Sequence, residues 1–101
     1  MILRIVQMTF KPENIEAFVT LFEDRKDRIR GFDGCSHLEL WQGSNDPNVF
    51  FTYSNWETEQ DLNHYRYSEF FKETWGMTKA LFSEKPQAWS VVQKSIAGNP
   101  L

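Results

Sequence analysis

The sequence predicts an α+β fold of the ferredoxin-like type, with the element order β-α-β-β-α-β. Three observations lead to it: short segments rich in β-branched and aromatic residues, longer segments with apolar residues at helical spacing, and a loop of turn-forming residues in mid-chain. This order gives one antiparallel sheet with both helices on one face. A length of 101 residues predicts a single domain, with its core at about 2–94 and a C-terminal tail at 95–101.

The first half of the chain contains three predicted strands and one helix. Residues 2–10 are β-branched and apolar, which predicts the first strand. Residues 13–30 carry apolar side chains three, four and seven positions apart, as in an amphipathic helix. Residues 35–43 and 49–56 predict two further strands, and the loop SNDPN between them makes the pair a hairpin.

The second half contains a helical region and a last strand. The segment ETEQDLNHYR after Trp56 begins the helical region, which restarts near Ser68 or Glu69. Aromatic and apolar residues then recur at helical spacing as far as Phe82. Residues 87–95, QAWSVVQKS, predict the fourth strand.

The third strand is apolar on both of its faces, although the helices can cover only one. Side chains alternate along a strand, so its two faces carry Val49, Phe51 and Tyr53, and Phe50, Thr52, Ser54 and Trp56. A second copy of the chain, packed sheet against sheet, is the simplest cover for the remaining face. The pattern therefore predicts a homodimer.

Charge and cysteine content exclude some functions and indicate a compartment. The formal net charge is −3, and the densest basic segment, EDRKDRIR, mixes both signs as a solvated helix face does. Nucleic-acid binding is not expected, because it needs an uncompensated positive surface. The single cysteine permits no intrachain disulfide, and no leader or membrane-length apolar run is recognisable. We expect a cytoplasmic protein without membrane contact.

Several quoted segments together resemble a known family. They are MTFKPEN before the first helix, GFDGC before the second strand, SNDPNVFFTYSNW through the hairpin, and WETEQDLNHYRYSEFF after it. With the spacing of Trp56, Leu62, Ser68 and Phe71, they resemble the antibiotic biosynthesis monooxygenase domain family over about residues 2–92. The resemblance implies a dimeric α+β barrel.

The same resemblance implies a class of chemistry. Several members of the family oxidise quinols or polycyclic phenols with molecular oxygen and need no metal or flavin, and others degrade haem. Many members carry a histidine nine residues after the tryptophan, where this chain has Tyr65 and places His64 one residue earlier. The haem-degrading branch has a histidine where this chain has Trp75 and an asparagine where it has Val6, so haem degradation is the less favoured function.

The candidate catalytic residues are Tyr65, His64 and Trp56. A histidine suits the base that ionises a phenolic substrate, and a tyrosine hydroxyl suits holding the phenolate. The spacing indicates that Leu62, Tyr65 and Phe71 face inward, which puts His64 toward the edge, so a surface histidine beside a packed Tyr65 is the favoured interpretation. Trp56 can orient a substrate oxygen through its N–H or serve only as a core anchor.

The candidate substrate-binding residues are Thr52, Ser54, Phe71 and Trp75. The small hydroxyl side chains of Thr52 and Ser54 leave room on the Trp56 face, which indicates a cavity, unless that room accommodates bulky helix aromatics. Phe71 and Trp75 would form an apolar wall, although such a stripe is commonly core.

The alternation of Cys35, His37 and Glu39 along the second strand predicts that all three share one face. One straight strand spans too far for three ligands to reach one ion, so a polar or interface patch is preferred and no metal or cofactor is expected. Two functions remain open: a cofactor-independent monooxygenase acting on a quinol or polyphenolic ring, and a non-catalytic dimer that binds or senses a small aromatic molecule.

Overall fold

A four-stranded antiparallel sheet with helices packed on one face makes up the computed structural model, which describes residues 1–98. The elements in chain order are β1 (Ile2–Thr9), a 3-10 turn (Pro12–Asn14), α1 (Ile15–Arg30), β2 (Cys35–Gln42), β3 (Val49–Trp56), α2 (Glu59–Arg66), α3 (Glu69–Lys79) and β4 (Gln87–Val91). The strand order is β2-β3-β1-β4, and all neighbours are antiparallel. The predicted ferredoxin-like fold is confirmed.

The helical region of the second half is divided by two N-caps. The Thr58 hydroxyl accepts a hydrogen bond from the Asp61 N–H at 3.0 Å and begins α2. The Ser68 hydroxyl accepts one from the Phe71 N–H at 3.1 Å and begins α3. Each cap satisfies a backbone donor that the first turn of a helix leaves free. The predicted restart at this point is confirmed.

Two predicted elements end earlier than their patterns indicate. Helix α3 ends at Lys79, and Phe82 instead forms an isolated β-bridge with Phe10. Strand β4 ends at Val91, and residues 92–98 have no regular structure. The tail predicted over 95–101 is exposed as far as 98, and its last three residues lie outside the described part of the chain.

The larger core cluster lies between the inner face of the sheet and α1. Its buried members are Met8, Phe10, Phe18, Phe22 and Phe50. Phe10 is fully buried, and its ring stacks on Phe18 with centroids 4.2 Å apart. Phe50 meets the same two rings edge-on, at 5.8 Å and 5.4 Å. These aromatic pairs add to the stabilisation that area burial alone provides.

A smaller core cluster joins the start of β2, the end of β3 and α2. Cys35, Trp56 and Leu62 are its buried members. Gly34 brings these elements together, because its φ of 84° turns the chain into β2 and a Cβ there would lie 2.3 Å from Asp61 Oδ2. Its carbonyl also accepts a hydrogen bond of 2.8 Å from the Glu57 N–H. Only glycine fits both the conformation and the space.

The prediction that Cys35, His37 and Glu39 share one face is wrong. A β-bulge shifts the register between Cys35 and His37, so that Cys35 pairs with Trp56 on the helix-covered face. A bulge adds one residue to its strand and reverses the alternation beyond it. His37 and Glu39 remain together on the opposite face, where the His37 imidazole contacts a Glu39 carboxylate oxygen.

The sheet face opposite the helices carries the apolar side chains predicted for it. Trp41 stacks on Tyr53 with centroids 5.1 Å apart and lies beside Phe51. Trp41 and Trp89 keep 40% and 43% of their surface exposed. Strand β3 places Val49, Phe51 and Tyr53 on this face, all half-buried. We call this surface, formed by the odd-numbered residues of β1, β3 and β4 with Trp41, the outer face.

Candidate functional site

A cavity of about 290 Å³ lies between the inner face of the sheet and the helices. This volume is close to the lower end of the ~300–1,000 Å³ of small-molecule sites. Most of its lining is apolar or aromatic. The sheet contributes Arg4, Val6, Met8, Leu38, Thr52, Ser54 and Ala88, and the helices contribute Phe18, Phe22, Ile29, Leu62, Tyr65, Arg66, Phe71, Thr74, Trp75 and Thr78.

All four predicted substrate-binding residues line this cavity. Thr52 and Ser54 lie on β3 and leave the space that their small side chains predict. Phe71 and Trp75 lie one turn apart on α3, and their rings are nearly parallel with centroids 5.9 Å apart. The structure therefore brings the two hydroxyl residues and the aromatic wall to the same space.

Trp56 stands behind the cavity and does not line it. It is 1% exposed, and its Nε1–H donates a hydrogen bond of 3.0 Å to Ser54 Oγ. Its indole also stacks on the Tyr65 ring with centroids 5.1 Å apart. Because the N–H already has an acceptor, Trp56 positions Ser54 and Tyr65 as a core anchor.

Tyr65 lines the cavity and is held there by aromatic rings on several sides. Besides Trp56, it meets Phe32 and Phe71 edge-on, each with centroids 5.0 Å apart. Burial, with a smaller contribution from Cys35, raises the pKa of the Tyr65 phenol well above its ordinary value. Within residues 1–98 no hydrogen bond engages its hydroxyl. Tyr65 is therefore a protonated donor at neutral pH and not a base.

His64 lies outside the cavity. Its side chain is exposed, and it is not among the lining residues, whereas Leu62 and Tyr65 both are. One residue turns an α-helix by about 100°, so neighbours in sequence face different directions. The inward set of Leu62, Tyr65 and Phe71 is as the spacing predicts, and no histidine stands among the described lining residues.

Two arginines that the sequence interpretation missed also line the cavity. Arg4 lies on the inner face of β1 beside Val6 and Met8, and Arg66 lies four residues after Leu62 on α2. Both were detectable in principle. A lone charge among inward apolar residues of a strand and a charge at i+4 from an inward leucine each indicate a polar group at the cavity.

The part of the chain that the structure describes contains neither a cluster of metal-ligating side chains nor a helix that could span a membrane. Between residues 1 and 98 no three His, Cys, Asp or Glu side chains are grouped as metal ligands would be. Burial raises the pKa of the Cys35 thiol, which keeps it protonated. No helix of residues 1–98 is long and apolar enough to cross a membrane.

Comparison with protein-family models shows to which family the chain is related. A family model described as antibiotic biosynthesis monooxygenase matches residues 1–75, about three-quarters of the chain. The chain belongs to this family. No curated protein matches the sequence significantly. Membership of the antibiotic biosynthesis monooxygenase family thus rests on β1 through most of α3, the part that carries all the cavity residues except Thr78 and Ala88.

Solved structures agree with this membership at the level of fold. A crystal structure of an antibiotic biosynthesis monooxygenase is 20% identical, with a TM-score of 0.87, and the match covers 94% of this chain and 100% of that one. A conserved protein from Methanosarcina mazei Go1 is 20% identical, with a TM-score of 0.86 over 93% and 94% of the two chains. A putative antibiotic biosynthesis monooxygenase from Nitrosomonas europaea is 17% identical, with a TM-score of 0.86 over 94% and 100%.

Proposed function

We propose that the chain is a monooxygenase-like enzyme that oxidises a quinol or polyphenolic ring with molecular oxygen and without metal or flavin. The observation that carries the proposal is the position of Tyr65. Tyr65, which keeps its proton at neutral pH, lines the same cavity as the aromatic rings of Phe71 and Trp75. Membership of the antibiotic biosynthesis monooxygenase family supports the reaction type.

The substrate itself can supply the electrons for this reaction. In the keto form of a polycyclic phenol, oxidation of a ring CH₂ to a carbonyl consumes one O₂ and releases one water: the carbon loses two hydrogen atoms and gains one oxygen atom, and the second oxygen atom leaves with those hydrogens as water. The protein must hold the ionised ring and exclude bulk water. Tyr65 would donate a hydrogen bond to the phenolate oxygen, since its raised pKa keeps its own proton in place.

The remaining cavity residues would position the ring. Phe71 and Trp75 offer parallel faces against which an aromatic ring can stack. Ser54 accepts from Trp56 and keeps its own O–H free to donate to a substrate oxygen. Thr52 leaves the space beside it.

The proposal includes a homodimer in the cytoplasm, joined through the outer face. That face presents Trp41, Trp89 and Val91, each with 40–43% of its surface exposed. Contiguous apolar surface of this kind is rare on monomers. A second sheet packed on it would bury the rings and close the barrel on the side away from the cavity.

Oxygen uptake tests the function. Purified protein, treated with a chelator, should consume oxygen with at least one member of a quinol and anthrone panel faster than the substrate oxidises alone. A complete panel without uptake above that background would reject the monooxygenase activity.

A non-catalytic binding or sensing dimer is the second candidate. The observation that favours it is that none of the cavity-lining residues within 1–98 is a histidine or a carboxylate, while His64 is exposed and the pKa of Tyr65 is raised. A thermal-shift screen with aromatic ligands separates the two candidates: stabilisation without product favours binding alone. Haem degradation is not proposed, because Val6 and Trp75 line the cavity where that branch has asparagine and histidine.

A further inference from the structure

The charged side chains that line the cavity are all positive. This observation leads to an inference about the substrate, which rests on the proposed function. Arg4 and Arg66 both line the cavity, and none of the described lining residues is an aspartate or glutamate. The chain as a whole is acidic, with a net charge of −3. The cavity proposed to hold the substrate therefore carries two positive side chains and, among its described lining residues, no carboxylate, in a chain that is acidic as a whole.

Arg4 is a half-buried cation on the inner face of the sheet. Its Nη1–H donates to Ser90 Oγ at 3.0 Å, which fixes the guanidinium beside β4 with neutral partners only. Burial, and then the charge of Arg66, lower the pKa of Arg4. The second cause means that the two guanidinium groups lie close enough to repel each other.

Arg66 is the second cation, and it has no ionic partner within residues 1–98. Arginines elsewhere in the chain are engaged. Arg25 reaches Asp24 and donates to Thr74 at 2.7 Å, Arg28 lies over the Phe70 ring, and Arg30 donates to the Cys35 carbonyl at 2.6 Å. Arg66 is exposed at the edge of the helix and lines the cavity, and it differs from the structural arginines of α1 in having no such partner within residues 1–98.

We infer that the substrate is an aromatic acid whose carboxylate is held by Arg4 and Arg66 while its ring enters the apolar part of the cavity. Two cations that repel each other in the empty site gain most from an anion placed between them, and guanidinium groups match a carboxylate in geometry. The small volume of about 290 Å³ favours a compact ring system. The carboxylate would set which ring position faces Tyr65, and so which carbon is oxidised.

Binding of two matched probes tests the inference. 2-Naphthoate and 2-naphthamide have the same rings and nearly the same shape, and they differ in charge. Isothermal titration calorimetry of the full chain should show naphthoate binding about tenfold or more tightly than the amide, as expected for charge-assisted hydrogen bonds. Raising the salt concentration should weaken naphthoate and leave the amide unchanged.

Substitutions test which residues cause the preference for naphthoate over naphthamide. Arg66→Gln and Arg4→Gln should each remove most of the difference between the probes. Lys79→Gln removes the same charge from an exposed position outside the cavity and should keep the preference. Thermal melting of all three variants establishes that they are folded.

The outcomes separate this inference from the proposed function. Equal affinity for the two probes, or a preference that survives both arginine substitutions, overturns the aromatic acid and leaves oxidation of a neutral ring intact. Failure of both probes to bind also overturns it. The oxygen-uptake panel, which includes neutral quinols, judges the monooxygenase activity independently.

Discussion

The indole of Trp56 and the phenol of Tyr65 lie face to face, with centroids 5.1 Å apart and planes inclined by 21°. Trp56 belongs to the end of β3, and Tyr65 to the last turn of α2. The stack fixes the tyrosine against the sheet, while the Trp56 N–H fixes Ser54 at 3.0 Å. One buried residue therefore positions two of the polar groups at the cavity.

Removal of the Tyr65 hydroxyl tests its proposed role in catalysis. Tyr65→Phe keeps the ring and the stack on Trp56 but loses the donor to the substrate oxygen. We expect oxygen uptake to fall about a hundredfold with little change in thermal stability, as for loss of an oxyanion donor. Tyr67→Phe, at an exposed position on the same helix end, is the matched control and should leave uptake unchanged. Equal rates in all three proteins would remove Tyr65 from the reaction.

The raised pKa of Tyr65 also predicts how stability depends on pH. The folded protein holds the phenolic proton more tightly than the unfolded chain does. Below the ordinary pKa of 10.0 both states keep this proton, so the stability linked to it is fully present. Above that pH the unfolded state loses the proton first, so stability falls as pH rises. In denaturant melts, the free energy of unfolding of the wild type should fall relative to that of Tyr65→Phe as the buffer becomes alkaline. Parallel pH profiles would contradict the burial of this hydroxyl.

His64 is predicted to take no part in the reaction. Its side chain is exposed and absent from the cavity lining, so His64→Gln should alter oxygen uptake less than twofold at any pH. A loss of the acidic limb of the pH–rate profile in this variant would mean that the histidine is the base after all.

Gly34 and Gly76 should respond in opposite ways to the same substitution. Gly34→Ala places a Cβ at a φ of 84° against Asp61, and should reduce the free energy of unfolding by about 1–3 kcal/mol. Gly76→Ala meets nothing within 4 Å in the middle of α3, and should raise it by about 0.5–1 kcal/mol. Urea unfolding measures both, and a neutral Gly34→Ala would mean that the turn can relax.

The outer face predicts the oligomeric state. Phe51→Asp would place an unpaired carboxylate in the layer between two sheets, at a cost of more than ~2 kcal/mol, and should give monomer or aggregate. Tyr67→Asp makes the same kind of change at a residue that is 71% exposed and should remain dimeric. Sedimentation at micromolar concentration measures both. A well-folded wild-type monomer of about 12.0 kDa would contradict the predicted dimer.

The sequence was sufficient for most of the fold because its patterns are strong where the packing is regular. The alternation in β3 assigns both faces correctly, since Phe50, Ser54 and Trp56 are buried under the helices. The spacing of Leu62 and Tyr65 likewise selects the inward face of α2. Both results depend on periodicity alone.

The sequence patterns did not predict features that depend on a local irregularity or on the contacts of a single side chain. The bulge after Cys35 reverses the face of one residue, and alternation cannot reveal an inserted position. Phe82 continues the helical spacing but reaches the same aromatic cluster from a loop, 5.6 Å from Trp75. The engagement of the Trp56 N–H by Ser54 depends on three-dimensional geometry that spacing does not contain.

The cavity between Thr52 and the aromatic residues of α3 is where we propose that the aromatic substrate is oxidised. The most direct measurement compares oxygen uptake by wild type and by Thr52→Phe, whose added ring fills this space, with Thr52→Ser as the control that keeps it open. We expect uptake above the background rate in wild type and Thr52→Ser, and none in a folded Thr52→Phe. Undiminished uptake by the folded Thr52→Phe protein would contradict it, because the reaction would then take place somewhere else.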